Sequence, residues 1–255
     1  MNKTDILSSL DGEERILISR VMDLAQRCVR TRTVVYTPFL NPREQRLVRG
    51  YCKGDFHIRV SGGYEDAERA VLAFCPCEDD EAVFPFVILK ITSTDGRVFS
   101  HRDYLGAILS LGIKREKLGD IITESDSAFV FCASSVAEFV CLNLDKVSSS
   151  NVVCGISYDT HNFSFKRKYE DRDVTVASLR LDCVVAAATG NSREKSTALI
   201  NRGLVQLNYD VAKNTSARIE NGDVISVRGY GKLLVETDNA TSRKGRVIVR
   251  LKYFV

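Results

Sequence analysis

Apolar residues recur at helical spacing near the start of the chain. Leu17, Val21, Leu24 and Cys28 follow Asp11, a residue type that caps helices, and they lie three or four positions apart. Residues at this spacing share one face of a helix. The pattern predicts an amphipathic helix whose apolar face is buried.

A second helix is predicted from Asn41, because Asn41 is a capping residue and Pro42 suits the first helical position. Glu44 lies where a capping box needs a carboxylate. The arginines of this helix are three residues apart and share a face: Arg43, Arg46 and Arg49. That face is interpreted either as a solvated basic surface or as a stripe that contacts phosphates.

The middle of the chain alternates short apolar runs with helical patterns. Strands are predicted at 56–60, 70–74, 86–91, 128–132 and 151–156, and helices at 100–112 and 136–142. The runs at 70–74 and 86–91 resemble a strand pair joined by the acidic loop 78–81. This order predicts an α+β sandwich of the ferredoxin-like or RRM-like kind.

The pattern of the C-terminal part predicts a small α/β module. One helix is predicted over 181–188, with its apolar residues on one face and Gly190 at its end. The next begins at Asn191 or Ser192 and ends at Arg202. Strands follow at 204–207, 224–228, 232–235 and 246–251. The expected organisation is an N-terminal helical segment (1–50), an α+β domain (51–171) and this module (172–255).

Composition narrows the class of protein. The 255 residues carry a net charge of +3, divided into +3 for residues 1–50, −5 for 51–172 and +5 for 173–255. Basic ends favour a polyanionic partner. We find neither a membrane span nor a signal peptide and expect a cytoplasmic protein. The eight cysteines lie mostly in apolar contexts, so we expect buried thiols rather than a disulfide framework.

The placement of basic residues in the module matters more than their number. Arg193 and Lys195 occupy the first turn of their helix, where cations oppose the helix dipole and a bound anion would reverse that cost. The candidate RNA-binding residues of the module are Arg180, Ser192, Arg193, Lys195, Arg202, Lys213, Arg228 and Lys232, with Arg218 in a nearby turn. An ordinary basic surface remains the alternative interpretation.

Four stretches of this module occur in a characteristic order: 178–182 (SLRLD), 191–200 (NSREKSTALI), 203–208 (GLVQLN) and 221–229 (NGDVISVRG). The module resembles the S4 RNA-binding domain. The resemblance implies two short helices on a small sheet, an αL motif, with the second helix and the following hairpin along structured RNA.

Four further motifs precede the module: 41–45 (NPREQ), 62–69 (GGYEDAER), 101–106 (HRDYLG) and 111–121 (LGIKREKLGDI). With them, nearly the whole chain is similar to the bacterial YlmH family. Membership implies a non-enzymatic factor that binds the large ribosomal subunit and its rRNA. Such factors act in quality control of stalled chains still attached to tRNA. The resemblance extends the expected footprint to Arg43, Arg46, Lys114 and Arg115, while Ala70 and Tyr230 stand where the family commonly has basic residues.

Enzymatic chemistry has little support in the sequence. Arg180-Leu181-Asp182 resembles the catalytic motif of pseudouridine synthases, but the large catalytic domain that surrounds it in those enzymes has no counterpart in the module. Cys75 and Cys77 have no second pair or nearby histidine for a zinc site. We expect a monomer without cofactor or metal. An RNA-modifying enzyme and a protein-interaction scaffold that uses the acidic middle remain the alternatives.

Overall fold

The structure is a computed structural model and describes residues 10, 12–158, 163, 165, 167–238, 240–242 and 245–254. The chain divides into two compact units, Met1–Phe165 (unit 1) and Lys166–Val255 (unit 2). The described residues form six α-helices and three sheets whose neighbouring strands are all antiparallel. The predicted mixed α+β class is therefore confirmed. No helix among these residues is long and apolar enough to cross a membrane.

The first part of unit 1 packs two helices on a small sheet. Its elements are α1 (Gly12–Thr31), β1 (Val35–Tyr36), α2 (Pro42–Tyr51), β2 (His57–Ser61) and β3 (Val71–Cys75). The strand order is β1-β3-β2. The predicted apolar face of α1 is buried at Val21 and Cys28, which pack with Val48 of α2 and Phe74 of β3. Asn41 and Glu44 form the predicted capping box of α2.

The second part of unit 1 is a five-stranded sheet with two helices. Its elements are β4 (Phe86–Ser93), α3 (His101–Ser110), a 3-10 turn (Arg115–Lys117), β5 (Leu118–Glu124), β6 (Ser127–Ala133), α4 (Ser134–Asn143), β7 (Lys146–Val147) and β8 (Ser150–Ser157). The strand order is β5-β6-β4-β8-β7. Alternate residues of β4 and β6, such as Leu89 and Val130, join Tyr104 and Ile108 of α3 in the core. The remaining residues of these strands face away from that core.

One sequence prediction for this region was wrong, and one strand was not predicted. The runs 70–74 and 86–91 do not pair, because β3 lies between β1 and β2 whereas β4 lies between β6 and β8. The acidic loop between them therefore joins two sheets. Strand β5 was not predicted. It follows the charged turn Arg115–Lys117, and its own pattern is broken where its register with β6 shifts between Leu118 and Ile121.

Unit 2 packs two short helices against a six-stranded sheet. Its elements are β9 (Tyr169–Val176), α5 (Leu181–Thr189), α6 (Arg193–Asn201), β10 (Val205–Leu207), β11 (Asp210–Val211), β12 (Val224–Val227), β13 (Gly231–Glu236) and β14 (Val247–Phe254). The strand order is β11-β10-β12-β13-β14-β9. Leu181, Val184 and Val185 of α5 and Ile200 of α6 are buried against strand residues such as Val235.

Strand β9 was not predicted from the sequence, because few of its residues are apolar. Most of its residues are exposed, and Val176 alone among its eight residues is buried. It is held by an eight-residue ladder with β14 and by the ion pair between Asp173 and Arg250. The ladder begins at Tyr169, so a charged segment that looks like a linker in the sequence is part of the unit 2 sheet.

One pair of cysteines differs from the expectation of buried thiols. Cys141 of α4 and Cys154 of β8 form a disulfide. The other six cysteines are free, and five of them are buried, as the apolar sequence contexts predicted.

Candidate nucleic-acid interface

A buried carboxylate organises the start of the two helices in unit 2. Asp182, in the first turn of α5, is 3% exposed and accepts hydrogen bonds from the Nε atoms of Arg180 at 3.1 Å and Arg193 at 2.8 Å. A second nitrogen of Arg180 lies 3.1 Å from the other carboxylate oxygen. One acidic side chain therefore fixes two candidate RNA-binding arginines from different helices.

The ionisation of this centre follows from its contacts. Burial alone would raise the pKa of Asp182, but the hydrogen bonds and charges of Arg180 and Arg193 outweigh it and lower the pKa. The same pairing raises the pKa of Arg193. The centre thus holds one negative and two positive charges at neutral pH. Both arginine side chains are about half exposed, so they can also reach a ligand.

The N-terminus of α6 lies beside this centre. Ser192 caps the helix, and its hydroxyl accepts a hydrogen bond from the backbone N–H of Lys195 at 3.3 Å. The side chains of Arg193 and Lys195 are exposed. Two cations at a helix N-terminus give the arrangement that attracts phosphate groups.

A tyrosine side chain connects this helix start to the β12–β13 turn. The amide of Asn191 donates a hydrogen bond to the hydroxyl of Tyr230 at 3.0 Å. Gly229 and Gly231, on either side of Tyr230, have φ values of 89° and 106°, which favour glycine. Arg228, at the start of this turn, is exposed. Tyr230 thus connects the β12–β13 turn to the start of α6.

The remaining candidates of unit 2 lie in different settings. Arg218 is exposed and forms a backbone bridge with Arg180. Lys232 is half-buried, donates to the hydroxyl of Tyr209 at 3.0 Å and lies over the rings of Tyr209 and Phe254. Arg202 caps the C-terminal end of α6, about 13 Å along the helix from Arg193. Lys213 is exposed after β11.

In unit 1, a tight glycine turn brings three sequence motifs together. A Cβ atom at Gly63, which has a φ of 94°, would lie 2.1 Å from the ring of Phe131, so only glycine fits. The turn is followed by Glu68 and Arg69, whose backbone N–H groups donate to the carboxylate of Asp120 at 2.7 and 3.1 Å. The hydroxyl of Tyr64 donates to the same carboxylate at 2.8 Å.

Two arginine side chains meet next to Asp120. Arg69 donates from Nε to the carbonyl of Leu118 at 2.9 Å and from a terminal nitrogen to the carbonyl of Phe39 at 2.8 Å. Arg115 donates to the same Leu118 carbonyl at 2.7 Å and to that of Gly119 at 3.1 Å. Burial, and then the neighbouring charge of Arg69, lower the pKa of Arg115 to about 10. Burial also lowers the pKa of Arg69.

The other candidates of unit 1 are not gathered at this point. Arg43 forms an ion pair with Glu14 of α1, so it links the two helices. Arg46 and Arg49 are exposed on α2, and Lys114 is exposed before the 3-10 turn.

The aromatic face of the five-stranded sheet is closed by the chain itself. Phe131 of β6 is fully buried, stacks on Tyr64 at 5.5 Å between ring centroids and contacts Phe163 at 5.3 Å. Phe163 also contacts Phe129, at 5.3 Å. RRM domains bind RNA by stacking bases on aromatic residues of this kind of sheet face. Here those positions are largely occupied by other aromatic side chains of unit 1.

Sequence reasoning found several of these cations but missed what positions them. The sequence singled out Asp182 only within the stretch that resembles the pseudouridine synthase motif, and Arg69 only within the motif 62–69. Their roles depend on contacts over many residues, which no local spacing reveals. Among the residues that the structure describes, no group of three or more His, Cys, Asp or Glu side chains could hold a metal ion.

Comparisons with known proteins identify the family of this chain. The family model described as "YlmH, N-terminal" matches residues 13–78, and the model "Putative RNA-binding domain in YlmH" matches residues 81–158. The chain belongs to the YlmH family, so the resemblance drawn from its motifs is confirmed. The boundary between the matches falls between β3 and β4, where the two sheets of unit 1 meet in the sequence.

Two individual proteins are also similar. "Ribosome-associated protein quality control protein P2" of Bacillus subtilis (strain 168) is 29% identical over 248 residues, which cover 95% of this chain and 96% of the relative. The structure of "Cell division protein ylmH from Streptococcus pneumoniae" has a TM-score of 0.50 at 18% identity. It covers 60% of this chain and 96% of its own, and this likeness concerns the fold alone.

Proposed function

We propose that this protein is a non-enzymatic RNA-binding factor of the large ribosomal subunit that acts in quality control of stalled nascent chains. Its main RNA contact is the S4-like surface of unit 2, formed by Arg180, Arg193, Lys195, Arg218 and Arg228. Structured rRNA and the bound tRNA are the expected ligands. The name of the Bacillus subtilis relative, which aligns over almost the whole chain, supports the ribosomal setting.

The observation that carries the proposal is the Asp182 centre. A buried carboxylate holds Arg180 and Arg193 while about half of each arginine side chain stays exposed. Lys195 lies two residues after Arg193 in the first turn of the same helix. Preorganised arginines lose little side-chain freedom on binding, and their guanidinium groups match phosphate geometry. Two helices followed by a hairpin also support an S4-like fold for unit 2.

The enzymatic alternative has less support. A catalytic Asp must reach its substrate, but the carboxylate of Asp182 is buried and engaged by two guanidinium groups and the backbone N–H of Cys183. Apart from the two-residue strand β7, the order of elements from β4 to β8 is βαββαβ, which supports a ferredoxin-like or RRM-like fold for this part. Since its aromatic face is closed, we place any RNA contact of this part on its charged edges.

Co-sedimentation with purified large ribosomal subunits over a salt series tests the proposal. The variant Lys195→Gln/Arg228→Gln removes two exposed cations and leaves the Asp182 centre intact. We expect binding to weaken by about 10-fold or more, and the slope of log affinity against log salt to fall by about 2.

The matched control is Arg20→Gln/Arg27→Gln, which removes the same charge from the exposed side of α1. It should bind like the wild type. If the wild type does not co-sediment even at low salt, the ribosomal proposal is wrong. Equal losses of affinity in both variants would mean that binding depends only on the net charge of the protein. That result would argue against the S4-like surface.

A further inference from the structure

The arginine pair of unit 1 is an unusual arrangement of charge. Arg69 and Arg115 both donate to the carbonyl oxygen of Leu118, so their guanidinium groups are neighbours around one acceptor. Among the described residues, both guanidinium groups donate to backbone carbonyls, those of residues 39, 115, 118 and 119. Carbonyl groups are dipoles and do not neutralise a cation, so two like charges remain together in a partly buried place.

Nearby carboxylates do not form ion pairs with either arginine within the described part of the chain. Asp120 receives the hydroxyl of Tyr64 and two backbone N–H groups, and Glu44 receives the backbone N–H of Asn41 in the α2 capping box. Both carboxylates partly offset the charges from a distance. The repulsion between the two arginines is therefore offset only by carboxylates that form no ion pair with them.

The two guanidinium groups also retain donors that reach solvent. The described hydrogen bonds use Nε and one terminal nitrogen of Arg69, and one terminal nitrogen of Arg115. Tyr104 contributes the one fully buried side-chain N or O atom without a hydrogen-bond partner among the described residues. None of the remaining nitrogens of Arg69 and Arg115 is therefore fully buried.

We propose that Arg69 and Arg115 form a phosphate-binding site in unit 1, separate from the S4-like surface. Two adjacent guanidinium groups with accessible donors fit the oxygen atoms of one phosphate group. The bound anion offsets the repulsion between the two cations. Binding therefore relieves an unfavourable interaction that exists in the ligand-free protein. The phosphate is supplied by an RNA backbone, which extends the proposed function, or by a free phosphate compound.

The first experiment measures the site itself, without RNA. Two-dimensional 1H–15N NMR of the arginine Nε groups follows the full-length protein during titration with inorganic phosphate at constant ionic strength. We expect saturable shifts of the Arg69 and Arg115 signals and none of the Arg27 signal on α1. The shifts should persist in the Lys195→Gln/Arg228→Gln variant, whose defect lies in unit 2. Unchanged Arg69 and Arg115 signals would refute the site whatever happens to RNA binding.

The second experiment identifies the source of the phosphate. Large-subunit binding is measured over a salt series for Arg115→Gln and for Arg27→Gln, the control with the same charge change. A contact with the RNA backbone predicts that the salt slope falls by about 1 for Arg115→Gln alone. Equal slopes in the two variants, together with saturable phosphate shifts in the wild type, assign the site to a free phosphate compound.

Two further measurements distinguish the loss of the Arg115 charge from a loss of structure. Arg115→Lys keeps the charge but not the planar fork, so it should restore the salt slope and only part of the affinity. Amide hydrogen exchange in β5 and β6 should remain slow in both Arg115 variants. Loss of RNA binding in Arg115→Lys equal to that in Arg115→Gln, with exchange unchanged, would contradict a role for the charge.

Discussion

In each unit an Asp lies beside two Arg residues, but the hydrogen bonds of the arginines differ between the two units. In unit 2, Arg180 and Arg193 donate directly to the buried carboxylate of Asp182. In unit 1, Tyr64 and backbone N–H groups occupy the carboxylate of Asp120, and the guanidinium groups of Arg69 and Arg115 bind carbonyls. The same residue types thus give a carboxylate-held pair of arginines in one unit and a carbonyl-held pair in the other.

The two arrangements are expected to contribute differently to stability and to binding. A buried carboxylate between two arginines stabilises the folded unit, because removing it leaves two cations without their anion. A pair of arginines bonded only to carbonyls keeps its mutual repulsion in the folded state. The proposed phosphate would offset that repulsion. On this view Asp182 supports the structure of the S4-like surface, whereas Arg115 contributes more to binding than to stability.

The largest expected effect comes from Asp182→Ala. It should lower the free energy of unfolding of unit 2 by about 3 kcal/mol, because both arginines lose their partner and a buried space is left. Since the chain has no tryptophan, unit-specific stability is best measured by hydrogen exchange of buried amides in α5, such as Val184 and Val185. Glu194→Gln, which removes an exposed carboxylate nearby, is the control and should leave exchange unchanged. Slow exchange in Asp182→Ala would contradict the organising role.

A smaller effect is expected from the arginines of unit 1, and it should be unequal. Arg69→Gln deprives the Phe39 carbonyl of its side-chain donor, so we expect unit 1 to lose about 2 kcal/mol. Arg115→Gln also removes the side-chain donor of the Gly119 carbonyl, but it relieves the repulsion by Arg69 that lowers the pKa of Arg115, so we expect a cost of less than about 1 kcal/mol. Hydrogen exchange in β5 measures both. Equal destabilisation would show that the two arginines are purely structural.

The sequence predicted the regular elements well where one face is apolar and the ends carry clear signals. The capping box at Asn41 and the apolar face of α1 were both found in the structure. The prediction of a single apolar face for α5 was wrong, because its first five residues, Leu181 to Val185, are all buried. The sequence also failed for β5 and β9, because a register shift interrupts one and charged pairs with β14 stabilise the other. The pairing of 70–74 with 86–91 was wrong because two sheets, each with its own partners, meet at that point.

For the candidate site, sequence supplied residue types but not their partners. Arg193 and Lys195 were placed at a helix start from their neighbours alone, and the structure has them there. That Asp182 holds Arg193, or that Arg69 meets Arg115, depends on distances between residues 11 and 46 positions apart. Such contacts are set by packing of the whole unit, so a single sequence gives no local signal for them. The RNA-binding roles themselves stay predictions.

The smallest expected effect concerns pH, and it isolates the carboxylate of Asp182. Its pKa lies below the ordinary value of 3.8, so the stability that it contributes is complete above that value and is lost as the pH falls through the lowered pKa. The difference in α5 hydrogen exchange between the wild type and Asp182→Asn should therefore be constant from pH 7 to about pH 4 and shrink below that. Other acidic groups titrate in both proteins, so they cancel in the difference. A gap that stayed constant to the lowest pH would mean that shape, and not ionisation, explains the effect of Asp182, and the contrast between the two units would then not be electrostatic.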